Sequence, residues 1–283
     1  MFLTTYQSVA EFLVKTQPIM ETNEAANSLM LGICFRLQRF PERIKHDPYL
    51  ATVEDDEELV LAAVMTPPHN VMVYRHRDDA GQAYELVAQN LLAHQWPAPG
   101  VVGPSNVSRA FADTWTSLTN QSYRQHLSLR IHELRRVIPP KSVPGNFRLA
   151  TEADAGWLTQ WAIAFEKEAL GHEDLDRIPE MVQNKITDRE IYVWEDGQPV
   201  SIAATARPIV KGITVNLVYT PPELRGRGYA SACVATLSQL MLDSGRQYCC
   251  LFTDLANPTS NKIYRQIGYL PICDFNEYVF EER

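Results

Sequence analysis

The sequence has few cysteines, and their arrangement points to neither disulfides nor zinc. Its 283 residues include five cysteines, an odd number, and none forms a Cys-x-x-Cys pair. Cys249 and Cys250 are adjacent, which is poor geometry for a disulfide. We therefore expect reduced, mostly buried thiols in a cytoplasmic protein. The seven histidines are scattered without metal-ligand spacing, so no metal site is expected.

Long apolar runs and an excess of positive charge are also missing. The longest clear apolar run, residues 59–65, is far shorter than the roughly 20 residues that span a bilayer. Residues 1–7 contain neither a basic nor a continuous apolar segment, so no secretory signal is expected. The formal net charge of −8 repels phosphate backbones. We expect no membrane and no nucleic-acid partner, although a local basic spot can still bind one small anion.

The length suggests two domains, at about 150 residues each. Residues 132–145 read HELRRVIPPKSVPG. Their three prolines predict a linker, because proline resists both helix and sheet. We place the boundary near Pro140, which gives domains over residues 1–140 and 141–283.

Strands and helices alternate in the second domain. Thr151 is expected to cap a helix there. A helix with one buried stripe is predicted through Ala230, Val234, Leu237 and Met241. Strands are predicted at 147–149, 191–194, 200–206, 213–219, 248–252 and 278–280, and a helix at 258–267. Alternation places four apolar residues of strand 213–219 on one face: Ile213, Val215, Leu217 and Tyr219.

The first domain repeats this order loosely. Its pattern predicts strands at 49–53, 58–65, 71–74, 101–103 and 122–131, with helices at 80–95 and 107–118. The whole chain is therefore predicted to be α/β, with mixed sheets flanked by helices. The two halves align element by element, which weakly favours a duplicated fold.

The segment from Val218 to Ala230 reads VYTPPELRGRGYA and joins a strand to a helix. Glycine lets the backbone approach a ligand closely and adopt positive φ. The first N–H groups of a helix lack internal partners and lie at the positive end of its dipole. Arg225 and Arg227 add charge-assisted donors. This turn is a candidate phosphate site, against the simpler interpretations of an ordinary tight turn or a fragment of an RNA-binding tract.

Two motifs in residues 145–283 resemble the GNAT superfamily of acetyl-coenzyme-A-dependent N-acyltransferases. The first, Arg/Gln-x-x-Gly-x-Gly/Ala, is matched by Arg225, Gly228 and Ala230. The second, Asn-x-x-Ala-x-x-Leu-Tyr-x-x-x-Gly-Phe, has Ser260 in place of its alanine. It is otherwise matched by Asn257, Ile263, Tyr264, Gly268 and Tyr269. The resemblance implies two GNAT-like lobes in tandem, with mostly antiparallel mixed sheets, and a catalytic second domain.

The resemblance also implies the ligand and its contacts. The co-substrate is acetyl-coenzyme A, and no metal takes part. The residues expected to bind it are Leu217, Val218, Tyr219, Arg225, Gly226, Arg227, Gly228, Tyr229, Ala230, Asn257 and Asn261. The strand amides near Leu217–Tyr219 would polarise the thioester carbonyl, and the turn would hold the diphosphate.

The implied reaction is direct attack of a primary amine on the thioester, with no covalent acyl-enzyme. The acceptor is a small-molecule or peptide amine. Tyr264 would protonate the leaving thiolate, and a carboxylate would take the proton of the amine. Many family members carry a glutamate on the preceding strand, where this chain has Thr214 and Asn216. We favour Glu168 as the base, with Glu166 behind it. The other acidic candidates are Glu173, Asp174 and Asp176.

Simpler roles stand beside these assignments. Asn257 could be only a helix cap, Tyr264 a core tyrosine, Glu168 a solvated residue and His172 part of a polar loop. A non-catalytic coenzyme A-binding sensor or interaction module is the alternative function, and transfer of a longer acyl group is a third. In the first domain, residues 75–81 read RHRDDAG, without paired glycines and with two carboxylates. That domain is expected not to bind coenzyme A, and to be a degenerate copy or an unrelated substrate-recognition domain.

Overall fold

The computed structural model describes residues 1–171 and 175–282. The chain forms two compact units, one of residues 1–131 with 272–283 and one of residues 132–271. The division therefore differs from a single boundary near Pro140. The first boundary falls within β6, which runs from Gln121 to Leu134, so the end of this strand belongs to the second unit. The end of the chain joins the first unit because its last strand pairs there.

The first unit contains most of the elements predicted for it, with extended ends. Its elements are β1 (Phe2–Thr5), α1 (Val9–Met20), α2 (Ser28–Arg39), β2 (Tyr49–Asp55), β3 (Glu58–Met65), β4 (Val71–Arg75), α3 (Gly81–Ala93), β5 (Gly100–Pro104), α4 (Ser105–Leu118) and β6 (Gln121–Leu134). Helices α1 and α2 were not predicted. The Ser8 hydroxyl caps α1 by accepting from the Ala10 N–H, and Phe12, Leu13 and Met20 bury one side of the helix.

The second unit also follows the predicted order. Its elements are β7 (Asn146–Leu149), α5 (Ala155–Phe165), α6 (Ile178–Thr187), β8 (Ile191–Glu195), β9 (Pro199–Ala206), β10 (Gly212–Tyr219), α7 (Tyr229–Asp243), β11 (Tyr248–Asp254) and α8 (Pro258–Gln266). A π-helical turn, Glu166–Leu170, follows α5. The capping box predicted at Thr151 is present, because Thr151 and Asp154 exchange hydrogen bonds.

The strands of the first unit and those of the second are neighbours in the same order within their sheets. In the first unit β1, β2, β3, β4 and β5 are neighbours in that order, and in the second β7, β8, β9, β10 and β11 are. All these pairs are antiparallel except β4 with β5 and β10 with β11, which are parallel. A helix joins each parallel pair, α3 in the first unit and α7 in the second. The predicted α/β architecture with mixed sheets is confirmed.

The last strand, β12 (Leu270–Glu282), completes the first unit. It pairs antiparallel with β5, from Phe275 opposite Pro104 to Val279 opposite Gly100. Its side chains enter the core of that unit, where Phe280 stacks on Trp115 with ring centroids 5.1 Å apart. Burial of large aromatic surface in this way is a major contribution to the stability of a domain.

The predicted linker packs against the second unit. The Ile138 N–H donates to the Ile267 carbonyl at 2.9 Å, and Val137 packs on the core below α7. A Cβ on Gly228 would lie 3.0 Å from Cγ1 of Val143. Residues 135–145 lie outside helix and sheet, as the prolines predict, whereas residues 132–134 belong to β6, and the apolar residues of the segment still find partners. Among the described residues, no helix has the length and apolar character needed to cross a membrane.

Candidate functional site

Strand β10 changes direction near its end. Leu217 has φ +48°, and the register with β9 shifts between Asn216 and Tyr219. This is a β-bulge, which inserts one residue and reverses the alternation of side chains beyond it. The prediction that the four apolar residues of this strand share one face is therefore wrong. Ile213 and Val215 join the core below α7, whereas Leu217 and Tyr219 join the core below α5 and α6.

The same strand also separates from β11. The parallel register covers only Gly212 to Thr214 of β10, opposite Tyr248 to Cys250. Both strands continue, β10 to Tyr219 and β11 to Asp254. Within the described chain, the last five residues of β10 thus have no register partner on β11. The backbone groups at the bulge are therefore not used in register pairing with β11.

The turn after β10 depends on two glycines. Gly226 has φ +77° and Gly228, the residue that caps α7, has φ +87°. This left-handed backbone is strained for any residue with a Cβ. A Cβ on Gly226 would meet nothing within 4 Å, so the surface of the turn is open there.

The start of α7 offers backbone donors. Ala232 is the first residue of the helix whose N–H reaches a carbonyl, that of Gly228 at 3.0 Å. In the part of the chain that the structure describes, the N–H groups of Tyr229, Ala230 and Ser231 have no acceptor. They lie at the positive end of a 15-residue helix. The predicted phosphate turn therefore has the form that the sequence indicated.

The two arginines of the turn point to protein groups. Arg225 donates through Nε to the Thr220 carbonyl at 2.9 Å and through Nη2 to Oε2 of Glu168 at 2.7 Å. This hydrogen bond with Glu168 is the largest cause of the raised pKa of Arg225. Arg227 donates to the Glu223 carbonyl at 3.3 Å. The carboxylate partner of Arg225 is thus Glu168, which the sequence suggested as the general base.

Tyr229, another residue predicted to bind the coenzyme, can offer only its backbone. The Tyr229 ring is buried, and its hydroxyl donates to Oδ2 of Asp196 at 2.7 Å. That hydrogen bond raises the pKa of the Tyr229 phenol, with burial as the second cause. Tyr229 can thus meet a ligand in the turn through its N–H. Val218 lies in the bulge, on the α7 side of the sheet.

Two of the acidic candidates form ion pairs with arginines. Glu166 is buried and pairs with Arg177, with Nη2 and Oε2 2.8 Å apart. Glu168 is half-exposed and pairs with Arg225 as described. Asp176 lies in the turn before α6. His172, Glu173 and Asp174 lie outside the described residues.

The second motif begins α8 with two asparagines. Asn257 caps the helix, because its Oδ1 accepts from the Ser260 N–H at 3.0 Å. The Asn261 carboxamide donates to the carbonyls of Asp254 and Asn257 and accepts from Thr253. Asn261 therefore ties the end of β11 to α8. Contact of either asparagine with a coenzyme remains a prediction.

Tyr264 lies in the core of the second unit. Its side chain is 9% exposed and packs edge-on to Tyr269, with ring centroids 5.9 Å apart. Burial raises the pKa of its phenol, with Cys233 as the second cause. A phenol is protonated at neutral pH in any case, and the raised pKa makes this one a weaker acid than an ordinary tyrosine. The simpler interpretation as a core tyrosine fits the same packing, and the catalytic role remains a prediction.

The sequence analysis missed a group of aromatic side chains beside the bulge. Trp161 of α5 lies 5.8 Å from the Tyr219 ring and 4.8 Å from the Trp157 ring, centroid to centroid. The Arg225 guanidinium lies over the same Tyr219 ring, 5.9 Å from its centroid. The i, i+4 spacing of the two tryptophans was the available signal, but it indicates equally a core face.

Comparison with known proteins supports the resemblance. A family model described as FR47-like protein matches residues 203–279, which contain both motifs. No curated protein matches the chain significantly.

Solved structures share the fold along the whole chain. A GCN5-related N-acetyltransferase from Sphaerobacter thermophilus matches with a TM-score of 0.65 at 17% identity, over 99% of this chain and 95% of that one. A GNAT-family acetyltransferase from Colwellia psychrerythraea gives 0.59 at 11%, over 99% and 100%. A tandem GNAT protein from the clavulanic acid biosynthesis pathway gives 0.61 at 12%, over 99% and 98%. The chain thus carries an FR47-like segment and has the tandem fold of GNAT acetyltransferases, as its two motifs indicated.

Proposed function

We propose that this protein is an N-acyltransferase that moves an acetyl group from acetyl-coenzyme A to a primary amine. The observation that carries the proposal is the separation of β10 from β11 next to the free amides of α7. An elongated thioester with a diphosphate at one end needs such a combination. The fold supports acyl transfer in general, and the coenzyme and the acceptor are our inference.

The residues of the turn fit a diphosphate. The turn is exposed, its glycines leave room at the backbone, and three N–H groups of α7 are free among the described residues. These amides would hold the diphosphate, and Arg227 would add a cation at its edge. The backbone of Leu217 and Val218, released from regular pairing by the bulge, would bind the part of the ligand nearer the thioester.

In the reaction, the amine nitrogen bonds to the acyl carbon and gives up a proton to solvent, the carbon–sulfur bond breaks, and the sulfur leaves as a thiolate that gains a proton. Tyr264 is the proposed donor of that proton, since its phenol stays protonated at neutral pH. Acid–base help of this kind contributes about 10²–10⁴-fold in rate. The larger share comes from holding amine and thioester together, which the separation of β10 from β11 beside the bulge would allow.

The compartment is proposed from the cysteines. All five are free, and four of them are buried. Burial raises the pKa of the Cys34 thiol to about 12, so this group stays protonated and unreactive. Free, inert thiols suit the reducing cytoplasm.

Two glycine variants test the binding site. Gly226→Glu places a carboxylate beside the free amides, and we expect loss of measurable acetyl-coenzyme A binding by calorimetry. Gly245→Glu is the control. Gly245 follows the other end of α7, has φ +99° and also has nothing within 4 Å of a Cβ. Both variants carry the same backbone strain and charge. Equal affinity in the two variants would refute the assignment of the turn.

The alternative is a coenzyme A-binding sensor without turnover. It is favoured by the engagement of Glu166 and Glu168 with arginines and by Thr214 and Asn216 on the strand that often carries the base. A thiol-release assay with acetyl-coenzyme A and a panel of primary amines separates the two functions. Release above the rate with water supports the transferase, and binding without release supports the sensor.

A further inference from the structure

The coenzyme turn and the acidic segment after α5 are joined by one ion pair. Nη2 of Arg225 and Oε2 of Glu168 lie 2.7 Å apart, and the two side chains are 44% and 52% exposed. Residue 168 belongs to the π-helical turn, whereas residue 225 belongs to the turn before α7. The pair therefore connects the proposed diphosphate site with the segment that carries the residues expected to act as the base.

The guanidinium of Arg225 lies in surroundings that suit any cation. A carboxylate faces it at hydrogen-bond distance, and the Tyr219 ring lies 5.9 Å from its central carbon. Trp161 packs against the same ring. A carboxylate next to an aromatic face binds ammonium and guanidinium groups of ligands as well as those of side chains. The chain thus supplies its own cation to a place where a substrate cation would fit.

The contact between Arg225 and Glu168 can be exchanged at small cost. Exposed ion pairs contribute little net stability, because water screens the charges and two long side chains lose freedom. Arg225 stands three residues before Gly228, the cap of α7. A diphosphate at those amides carries more negative charge than one carboxylate. It therefore competes effectively for the same guanidinium.

We propose that Glu168 recognises a cationic group of the acceptor and that Arg225 occupies this place until acetyl-coenzyme A draws it away. The acceptor is then a primary amine that carries a second cationic group, and it binds after the coenzyme. This inference rests on the proposed function. It gives Glu168 a role in recognition, where the sequence suggested a base.

The first test measures coenzyme binding alone. We expect Glu168→Gln to bind acetyl-coenzyme A roughly two- to five-fold more tightly than the unaltered protein at low salt, because Arg225 is no longer held. The control is Glu223→Gln, which removes the same charge from the coenzyme turn without touching Arg225. Its affinity should change less. If Glu168→Gln binds acetyl-coenzyme A no more tightly than Glu223→Gln does, the proposal that Arg225 moves from Glu168 to the diphosphate is wrong.

The second test uses hexylamine and hexamethylenediamine, which differ in one terminal amine. We expect a lower KM for the diamine in the unaltered protein and in Glu223→Gln, and loss of that preference in Glu168→Gln. A base at Glu168 would instead lower kcat for both amines and leave the KM ratio unchanged, which would overturn the recognition role. Binding of acetyl-coenzyme A without thiol release would refute the transferase while the first test still decides the exchange. Absence of binding in every variant would refute both proposals.

Discussion

The two units contain the same kind of turn with opposite electrostatics. In each, a strand that is briefly parallel to the next one turns into a helix, β4 into α3 and β10 into α7. In the first turn, Nε of Arg77 donates to Oδ1 of Asp79 at 3.0 Å, and Arg75 pairs with Asp78 at 2.9 Å. In the second, the only carboxylate bound to Arg225 among the described residues comes from outside the turn.

The comparison indicates how two units with one strand order can differ in the ligand that each turn could hold. The first turn carries its own two carboxylates immediately before α3, at the helix end that attracts anions. Those groups repel a diphosphate and hold the arginines that could have bound it. At the same two positions before α7 the second turn has Gly226 and Arg227, so no carboxylate of the turn lies there. Function here depends on a few residues of the turn, because the topology is shared.

The largest difference that we expect between the two units is the number of acetyl-coenzyme A molecules that each binds. We predict that calorimetry of the whole chain gives one bound acetyl-coenzyme A, and that Gly226→Glu reduces the count to zero. The charge in the first turn prevents a second site. A stoichiometry of two, or one site that survives Gly226→Glu, would show that the first unit binds the coenzyme.

Acid stability should also distinguish the units. In the second unit, Arg148 binds buried Asp154 through two hydrogen bonds of 2.8 and 3.0 Å, and the Arg148 hydrogen bonds lower the pKa of Asp154 from 3.8 to about 2. Because the folded pKa lies below the unfolded one, charged Asp154 stabilises the fold above about pH 4. This contribution, about 2 kcal/mol, is lost as the pH falls toward 2.

Asn substitutions measure this difference. We expect Asp154→Asn to lower the free energy of unfolding at pH 7 by about 2 kcal/mol and to flatten its acid dependence. Asp79→Asn is the matched change in the first unit. The pKa of Asp79 is also lowered by its arginine, but the group is exposed, so we expect little change in stability. Urea titrations at pH 3 and 7 measure the free energy of unfolding of both variants. Equal changes in the two variants would contradict the prediction.

The smallest expected effect concerns the glycines of the turns. Gly228→Ala should cost about 1 kcal/mol of stability, because its φ is +87° and the new Cβ would lie 3.0 Å from Val143. Gly81, the first residue of α3, has nothing within 4 Å. There alanine should leave stability unchanged or raise it by up to about 1 kcal/mol. Thermal unfolding of both variants checks this pair, and a matching loss in Gly81→Ala would contradict it.

Local patterns predicted most elements, and long-range contacts decided the rest. The hairpin around Gly197 and the cap at Thr151 depend on neighbouring residues, so they are readable from sequence. The bulge at Leu217 was not predictable, because leucine has no preference for positive φ and only tertiary packing stabilises it there. Helix α1 did carry a signal, namely Ser8 followed by apolar residues at helical spacing, although Pro18 interrupts the pattern.

The candidate site shows the same division. Gly226, Gly228 and the start of α7 follow from one short segment, and the structure has them as expected. The pairing of Arg225 with Glu168 joins residues 57 positions apart. No local rule selects such a partner. The sequence assigned Arg225 to the coenzyme and Glu168 to the amine acceptor. Those assignments carry no information about the distance between the two side chains.

The position of β12 has a consequence for how the chain is made. β12 follows every element of the second unit in the chain, so the first unit stays incomplete until the second unit has been synthesised. Until then the edge of β5 and the aromatic surface of Trp115 lack their partners on β12. Newly made amino-terminal halves would therefore be the aggregation-prone species, and deletion of β12 would damage the unit that is synthesised first.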